Sequence, residues 1–201
     1  YLIYINKMDL PEAHVKNTLD ALQGMTERPL VLREVPIRED NVVTGFIDLV
    51  SERAYKWEES APSNLIEIPE QVNGRTEEER TQMLEALADF NDDLLEQLLE
   101  DVVPGAEVVY QNLTHDLQDG AIVPVFFGSA EHENGIHRLL KALRHETPEY
   151  TATLDRLGLA AEGDAVAQVF KTQHGAQSGK LSLARIWRGE FADSTSLNNT
   201  R

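Results

Sequence analysis

Two short stretches of this chain hold the residues with the most specific chemical possibilities. Asn6-Lys7-Met8-Asp9 follows the strand-like run Tyr1-Leu2-Ile3-Tyr4-Ile5, and Gly128-Ser129-Ala130 follows the similar run Ile122-Val123-Pro124-Val125-Phe126-Phe127. A carboxylate such as Asp9 accepts hydrogen bonds only, so it can receive both N1–H and the exocyclic amine of a guanine, a donor pair that adenine lacks. The Lys7 stem can lie along the face of the base, and Asn6 can tie its loop to a neighbouring element. Ser129 can buttress the Asp9 carboxylate, and the Ala130 backbone amide can donate to guanine O6. Each motif has an ordinary alternative: Asp9 as a helix N-cap ahead of Pro11, and Gly-Ser-Ala as a common turn. Position favours the chemical reading, because open α/β sheets place ligand sites outside the carboxyl ends of their strands.

The elements around these motifs predict such a sheet. Val15, Leu19 and Leu22 fall on one side of a helix beginning near Pro11 and ending at Gly24. Val31 to Arg38 and Val42 to Trp57 read as extended segments, with Asp40-Asn41 and Gly45 supplying turn or bulge chemistry, and a polar loop follows from Ser60 to Gly74. Thr76 ahead of Glu77, Glu78 and Glu79 has the features of a helix start. Met83, Leu84, Leu87, Phe90, Leu94, Leu95, Leu98 and Leu99 then recur at helical spacing as far as Pro104-Gly105, predicting one long amphipathic helix with an acidic outer face. Further helices are predicted from Glu107 to Leu117 and from Gly135 to Arg144. From Thr147 the periodicity fades into a linker, and beyond Asp164 the segments Ala165 to Thr172 and Lys180 to Trp187 alternate as strands.

Composition narrows the options. The 201 residues include 35 acidic and 18 basic side chains, a formal charge of −17 that argues against unaided binding to nucleic acid phosphates. Without cysteine, a disulfide scaffold, a thiolate metal site and a cysteine nucleophile are excluded. His132 and His137 stand five apart across a glycine turn rather than the four that places helical metal ligands on one face, so no metal site is assigned. Carboxylate runs such as Asp92-Asp93 read as a solvated helix face, and no residue is assigned to catalysis. The apolar runs are too short to span a bilayer.

The pair of motifs resembles the guanine-specificity motifs of translational GTPases, and the region between them resembles the insert of bacterial elongation factor G. Gly45-Phe46-Ile47-Asp48-Leu49-Val50 with Ala54 and Trp57, Glu67-Ile68-Pro69, and Asp93-Leu94-Leu95-Glu96-Gln97-Leu98-Leu99-Glu100 are similar to segments of that insert. Asn134-Gly135-Ile136 with Leu139-Leu140 resembles the helix closing the GTPase domain; Phe170-Lys171 and Gly179 to Ile186 with Gly189 resemble the opening strands of the second domain.

The resemblance implies an α/β fold: a partial P-loop-type GTPase sheet over 1–147 interrupted by an α+β subdomain over 35–119, a linker over 148–163, and the start of a β-barrel over 164–201. It implies base contacts from Asn6, Lys7, Asp9, Ser129 and Ala130, with GTP or GDP as the ligand. In that family the phosphate loop, switch regions and magnesium ligands precede the first motif, so the chain is expected to be a window of a longer factor, inactive by itself. The near-matches Gly175 to Leu181 and Asp155-Arg156-Leu157-Gly158 do not replace them: the first has leucine where a hydroxyl must reach magnesium, and the second follows no strand. The implied setting is cytoplasmic, with the ribosome as partner through stalk proteins and ribosomal RNA, no membrane, and a monomeric segment. Alternatives are a ribosomal protection factor, a class-three release factor, or an acidic protein-interaction module that binds no nucleotide by itself.

Overall fold

Three parallel strands share the edge on which both motifs end. The computed structural model describes residues 1–58, 61–160, 162–175, 177 and 179–198, and the chain divides into two units, 1–147 and 148–201. In the first unit, β1 (Ile3–Ile5) and β2 (Leu30–Leu32) flank β7 (Val123–Phe127), with Ile5 opposite Phe127 and Leu32 opposite Val125. The β-branched and aromatic side chains of β7 are all buried, as a central parallel strand requires. β1 departs from the expectation of a strand buried on both faces: it is half-buried at the sheet edge, and Tyr1 is exposed. The connecting helix α1 (Val15–Gln23) starts after His14, so Pro11 stands in the turn before it rather than in its first turn.

Between β2 and β7 lies an antiparallel meander of β3 (Glu34–Glu39), β4 (Val42–Asp48), β5 (Arg53–Glu58) and β6 (Ala61–Ile66). Asp40 and Asn41 both adopt positive φ, at 49° and 68°, which is the two-residue turn whose twist suits a tight hairpin. β6 occupies part of the predicted polar loop from Ser60 to Gly74; as a partly exposed edge strand it carries no apolar alternation to announce it, and Ser60 itself lies outside the described residues.

The predicted long helix is two helices. α2 (Glu70–Ala88) begins directly after Pro69, and Thr76 sits inside it, its hydroxyl donating to the Val72 carbonyl at 2.8 Å instead of capping an N-terminus. The chain breaks at Asn91, whose side chain accepts the Leu94 amide at 2.9 Å and so caps α3 (Asp92–Leu99). Its Nδ2 donates to Asn112 Oδ1 at 2.7 Å on α4 (Ala106–Asp119), which fixes the break against a neighbour. α5 (Ile136–Glu146) follows β7. One core joins Val35, Ile37, Ile47 and Leu49 of the meander to Met83, Leu87, Leu94, Val109 and Leu113 of α2 to α4; a second joins Met8, Val15, Leu32, Phe46, Trp57, Val125 and Phe127.

The second unit holds α6 (Tyr150–Arg156), a short helix within the predicted linker, and the antiparallel hairpin β8 (Val166–Gly175) and β9 (Gly179–Arg188). Among the described residues there is no closed barrel, and no helix is long and apolar enough to cross a membrane.

Candidate nucleotide-base site

Because β1 and β7 run parallel with Ile5 opposite Phe127, the loops that follow them leave the sheet side by side. Backbone bonds knit them at once: the Gly128 amide donates to the Ile5 carbonyl and the Met8 amide to the Gly128 carbonyl, both at 3.0 Å. Met8, the one residue of its motif without a predicted role, is fully buried in the second core and anchors the loop there. Asn6 Oδ1 accepts two amides, Lys7 N at 2.8 Å and Ala130 N at 2.9 Å, so this side chain bridges the two motifs across 124 positions of sequence.

The loop is held in a costly shape. Lys7 has a φ of 63°, a region sparsely populated by residues other than glycine and worth on the order of 1 kcal/mol of strain. The bonds from Met8 and to Asn6 surround that residue, and the Leu10 amide donates to the Lys7 carbonyl at 3.2 Å. On the other side, the Ser129 amide donates to the Asn134 carbonyl at 3.0 Å, and the Tyr4 hydroxyl donates to the same oxygen at 2.9 Å. Gly128 is required by that closeness: a Cβ there would run into the Asn134 carbonyl oxygen and the Tyr4 hydroxyl. Gly135, at a φ of 77°, returns the chain into α5.

Asp9 is an ionised acceptor in this setting. Its carboxyl is held below the usual carboxylate range, first by a hydrogen bond from the buried Ser129 hydroxyl and further by the charges of His132 and Lys7. Asp9 is not the cap of α1, which begins at Val15, and that removes the ordinary alternative for the first motif. Asn6, Lys7, Asp9, Ser129 and Ala130 thus converge on one open sheet edge.

The Ala130 amide, expected to face a guanine oxygen, donates within the protein to Asn6 Oδ1. Tyr4 and Asn134, which support the second loop, were given no part in the site from the sequence, because a strand tyrosine and a turn asparagine are individually ordinary. A cavity of about 420 Å³ lies on the far side of the Asn134-Gly135 turn, against Arg138 and the meander, and none of the five predicted residues lines it.

No protein-family model matches the chain. An elongation factor G-like protein of Synechocystis sp. is 39% identical over 203 residues, matching 100% of this chain with 30% of its own length. Along its whole length the chain is similar to proteins of the elongation factor G type. Elongation factor G 1 of Borreliella afzelii is 32% identical over 214 residues, again across 100% of the chain and 31% of that protein, and elongation factor G of Rhodopirellula baltica is 27% identical. A crystal structure of a protein from Thermus thermophilus superposes with a TM-score of 0.73 at 26% identity, covering 94% of this chain and 27% of that one. The chain thus spans about a third of the length of the elongation factor G relatives it matches.

Proposed function

We propose that this chain is the base-recognition and insert segment of a translational GTPase of the elongation factor G type, which drives GTP-dependent movement of tRNA and mRNA on the ribosome. The observation that carries the reading is the bridge from Asn6 Oδ1 to the Ala130 amide, which places an ionised Asp9 and the Ser129 hydroxyl at one strand edge. Within that site, Asp9 takes the guanine N1–H and amine, Lys7 covers the base face, and Asn6 holds the two loops in register. Guanine O6 shares the Ala130 amide with Asn6 or displaces it. GTP or GDP is the ligand; phosphate and magnesium contacts come from a region upstream in the longer factor, and this segment carries no hydrolytic step.

The factor is a cytoplasmic one that works on the ribosome. A role for the insert in meeting stalk proteins is supported by its surface: Phe90, Leu95, Leu99 and Val103 are exposed on and beside α3 among acidic neighbours. That same apolar stripe favours a second reading, in which the isolated chain acts only as a protein-binding module.

The deciding experiment is calorimetry with GDP on a longer chain that supplies the upstream half. Asp9→Ala should weaken GDP binding by roughly 100-fold, since it removes two hydrogen bonds to a charged acceptor. Asp9→Asn should shift preference from GDP to xanthosine diphosphate by exchanging an acceptor for a donor. Unchanged GDP affinity in both variants would refute the base site.

A further inference from the structure

A cluster of the first unit's buried ionisable side chains packs beside the strand and helix that bracket the Ser129-Ala130 loop. Arg33, Glu34, Asp48 and Glu146 are buried to within a few per cent, and Arg138 is nearly so. Arg33 makes a forked pair with Glu146 at 2.5 and 3.1 Å. Arg138 Nε donates to Asp48 Oδ2 at 2.8 Å and lies 3.8 Å from Glu34 Oε1, while its Nη1 is 3.9 Å from Glu146 Oε1. The guanidinium carbons of Arg33 and Arg138 each stand 5.2 Å from the ring centre of Phe126 on β7.

These five residues belong to two structural systems. Glu34 and Asp48 face each other as a cross-strand pair of β3 and β4, the first rung of the insert's meander. Arg138 and Glu146 lie on α5, which leaves the base loop through Gly135, and the Arg33 amide, next to Glu34 in the chain, donates to the Val125 carbonyl of β7 at 3.1 Å. One rung of the insert therefore grips the chain on both sides of Gly128 to Gly135. The loop between those grips has little slack, being closed by the Ser129 to Asn134 bridge and the Tyr4 hydroxyl. Buried ion pairs add little net stability over apolar packing of the same volume; their strength is directional, fixing one geometry of the groups they join.

We propose that Arg138 is a positioning residue for the base loop, and that its clamp on Asp48 and Glu34 makes the position of the insert sheet a determinant of how tightly the guanine base is held. The inference rests on the base-site reading above. Its consequence is reciprocal by thermodynamic linkage: a partner that shifts the meander against α5 alters nucleotide retention, and bound nucleotide alters the affinity of that partner.

Asp48→Asn is the sharpest probe, because an asparagine oxygen can still accept the Val50 and Ser51 amides that Asp48 Oδ1 now takes at 3.0 and 2.8 Å while the charge facing Arg138 is lost. In the 201-residue chain, amide exchange at Ser129 and Ala130 should quicken by about tenfold in Asp48→Asn and in Arg138→Met, with Arg138→Lys in between and with α2 amides unchanged. In the longer nucleotide-binding chain, GDP should dissociate at least about fivefold faster in Asp48→Asn. Unchanged loop exchange and dissociation would overturn the proposal, as would a uniform rise in exchange throughout 1–147, which is the mark of a purely structural role. If Arg138→Met fails to fold, Asp48→Asn and Arg138→Lys decide the matter. Asp9→Asn in the same series separates the two ideas: a switch to xanthosine diphosphate with no effect of Asp48→Asn leaves the base site standing and the clamp refuted.

Discussion

The first unit builds its candidate site from the shortest strands in the molecule, whereas the second unit contains the longest strands and, among its described residues, no buried side chain. β1 and β2 are three residues each, β8 and β9 ten each, yet every buried side chain named for the cores and the charge cluster lies before Thr147. β8 and β9 pair from Val166–Arg188 to Gly175–Gly179, but a two-stranded hairpin without a covered face is marginal in water. The short parallel strands gain from burial what they lack in length, and loops tied to a buried β7 can hold a strained Lys7 and an ionised Asp9 in fixed relation. Precision in this chain follows burial, not strand length.

The severest way to break that contrast is to unpair a buried charge in the first unit. Arg33→Ala leaves Glu146 buried with only the more distant Arg138 for company, and should destabilise the first unit by about 4 kcal/mol, read as a drop in the urea midpoint with an unchanged slope. A loss below about 1 kcal/mol would mean that water reaches this cluster and that burial is not what fixes it.

A second effect should appear as a pH slope. Three carboxyls face two guanidiniums in the cluster, and one of the three gives way: burial pushes Glu34 up from 4.5 to about 8, with the Asp48 charge adding to it. Burial also opposes ionisation of Asp48, but the Arg138 guanidinium and the Ser51 and Val50 amides outweigh it and hold that carboxyl below its ordinary value. Between roughly pH 4.5 and 8 the unfolded chain therefore releases the Glu34 proton while the folded chain keeps it, so this group's contribution is complete below the unfolded value and is lost as pH rises toward 8. Urea midpoints taken from about pH 5 to 8 should show that decline, and Glu34→Gln, an uncharged mimic of the protonated acid, should flatten it. The same slope in both proteins would assign it to another group.

How much of this was legible in the sequence follows the same division between local and distant causes. The two motifs, the buried strand β7 and the hairpin strands announce themselves because the residues that define them are adjacent in the chain. The end of α2 did not, since Phe90 continues the apolar period through the break; only the side chain of Asn91, pairing with Asn112 across 21 positions, decides that a new helix starts there. α2 starts directly after Pro69, earlier than Thr76 suggested, and a threonine inside a helix can satisfy its hydroxyl on the carbonyl four residues back. The charge cluster was invisible: Arg33, Glu34, Asp48, Arg138 and Glu146 look like surface residues one by one, and the pairing of Arg33 with Glu146 spans 113 positions. The same blindness applies to Met8 and Tyr4, whose parts in the base loop depend on which strand lies beside them.

The mildest change sharpens the contrast most. Leu183 lies in β9 opposite Lys171, is 44% exposed, and is chemically the equal of the fully buried Leu113 in α4. Leu113→Ala removes packing from the meander and helix core and should cost about 3 kcal/mol. Leu183→Ala removes only a partly hydrated side chain from a two-stranded ladder and should change stability by less than about 0.5 kcal/mol, with amide protection of Val169 and Lys171 retained in exchange measurements. The outcome should reverse in a longer chain if further strands cover this face. There the same Leu183→Ala would approach the cost of Leu113→Ala, because the hydrophobic contribution follows the apolar area removed from water and not the identity of the residue. A loss of about 3 kcal/mol already in the 201-residue chain would instead show that the hairpin is buried against something in solution, and the division of this molecule into a packed unit and an unpacked one would fall.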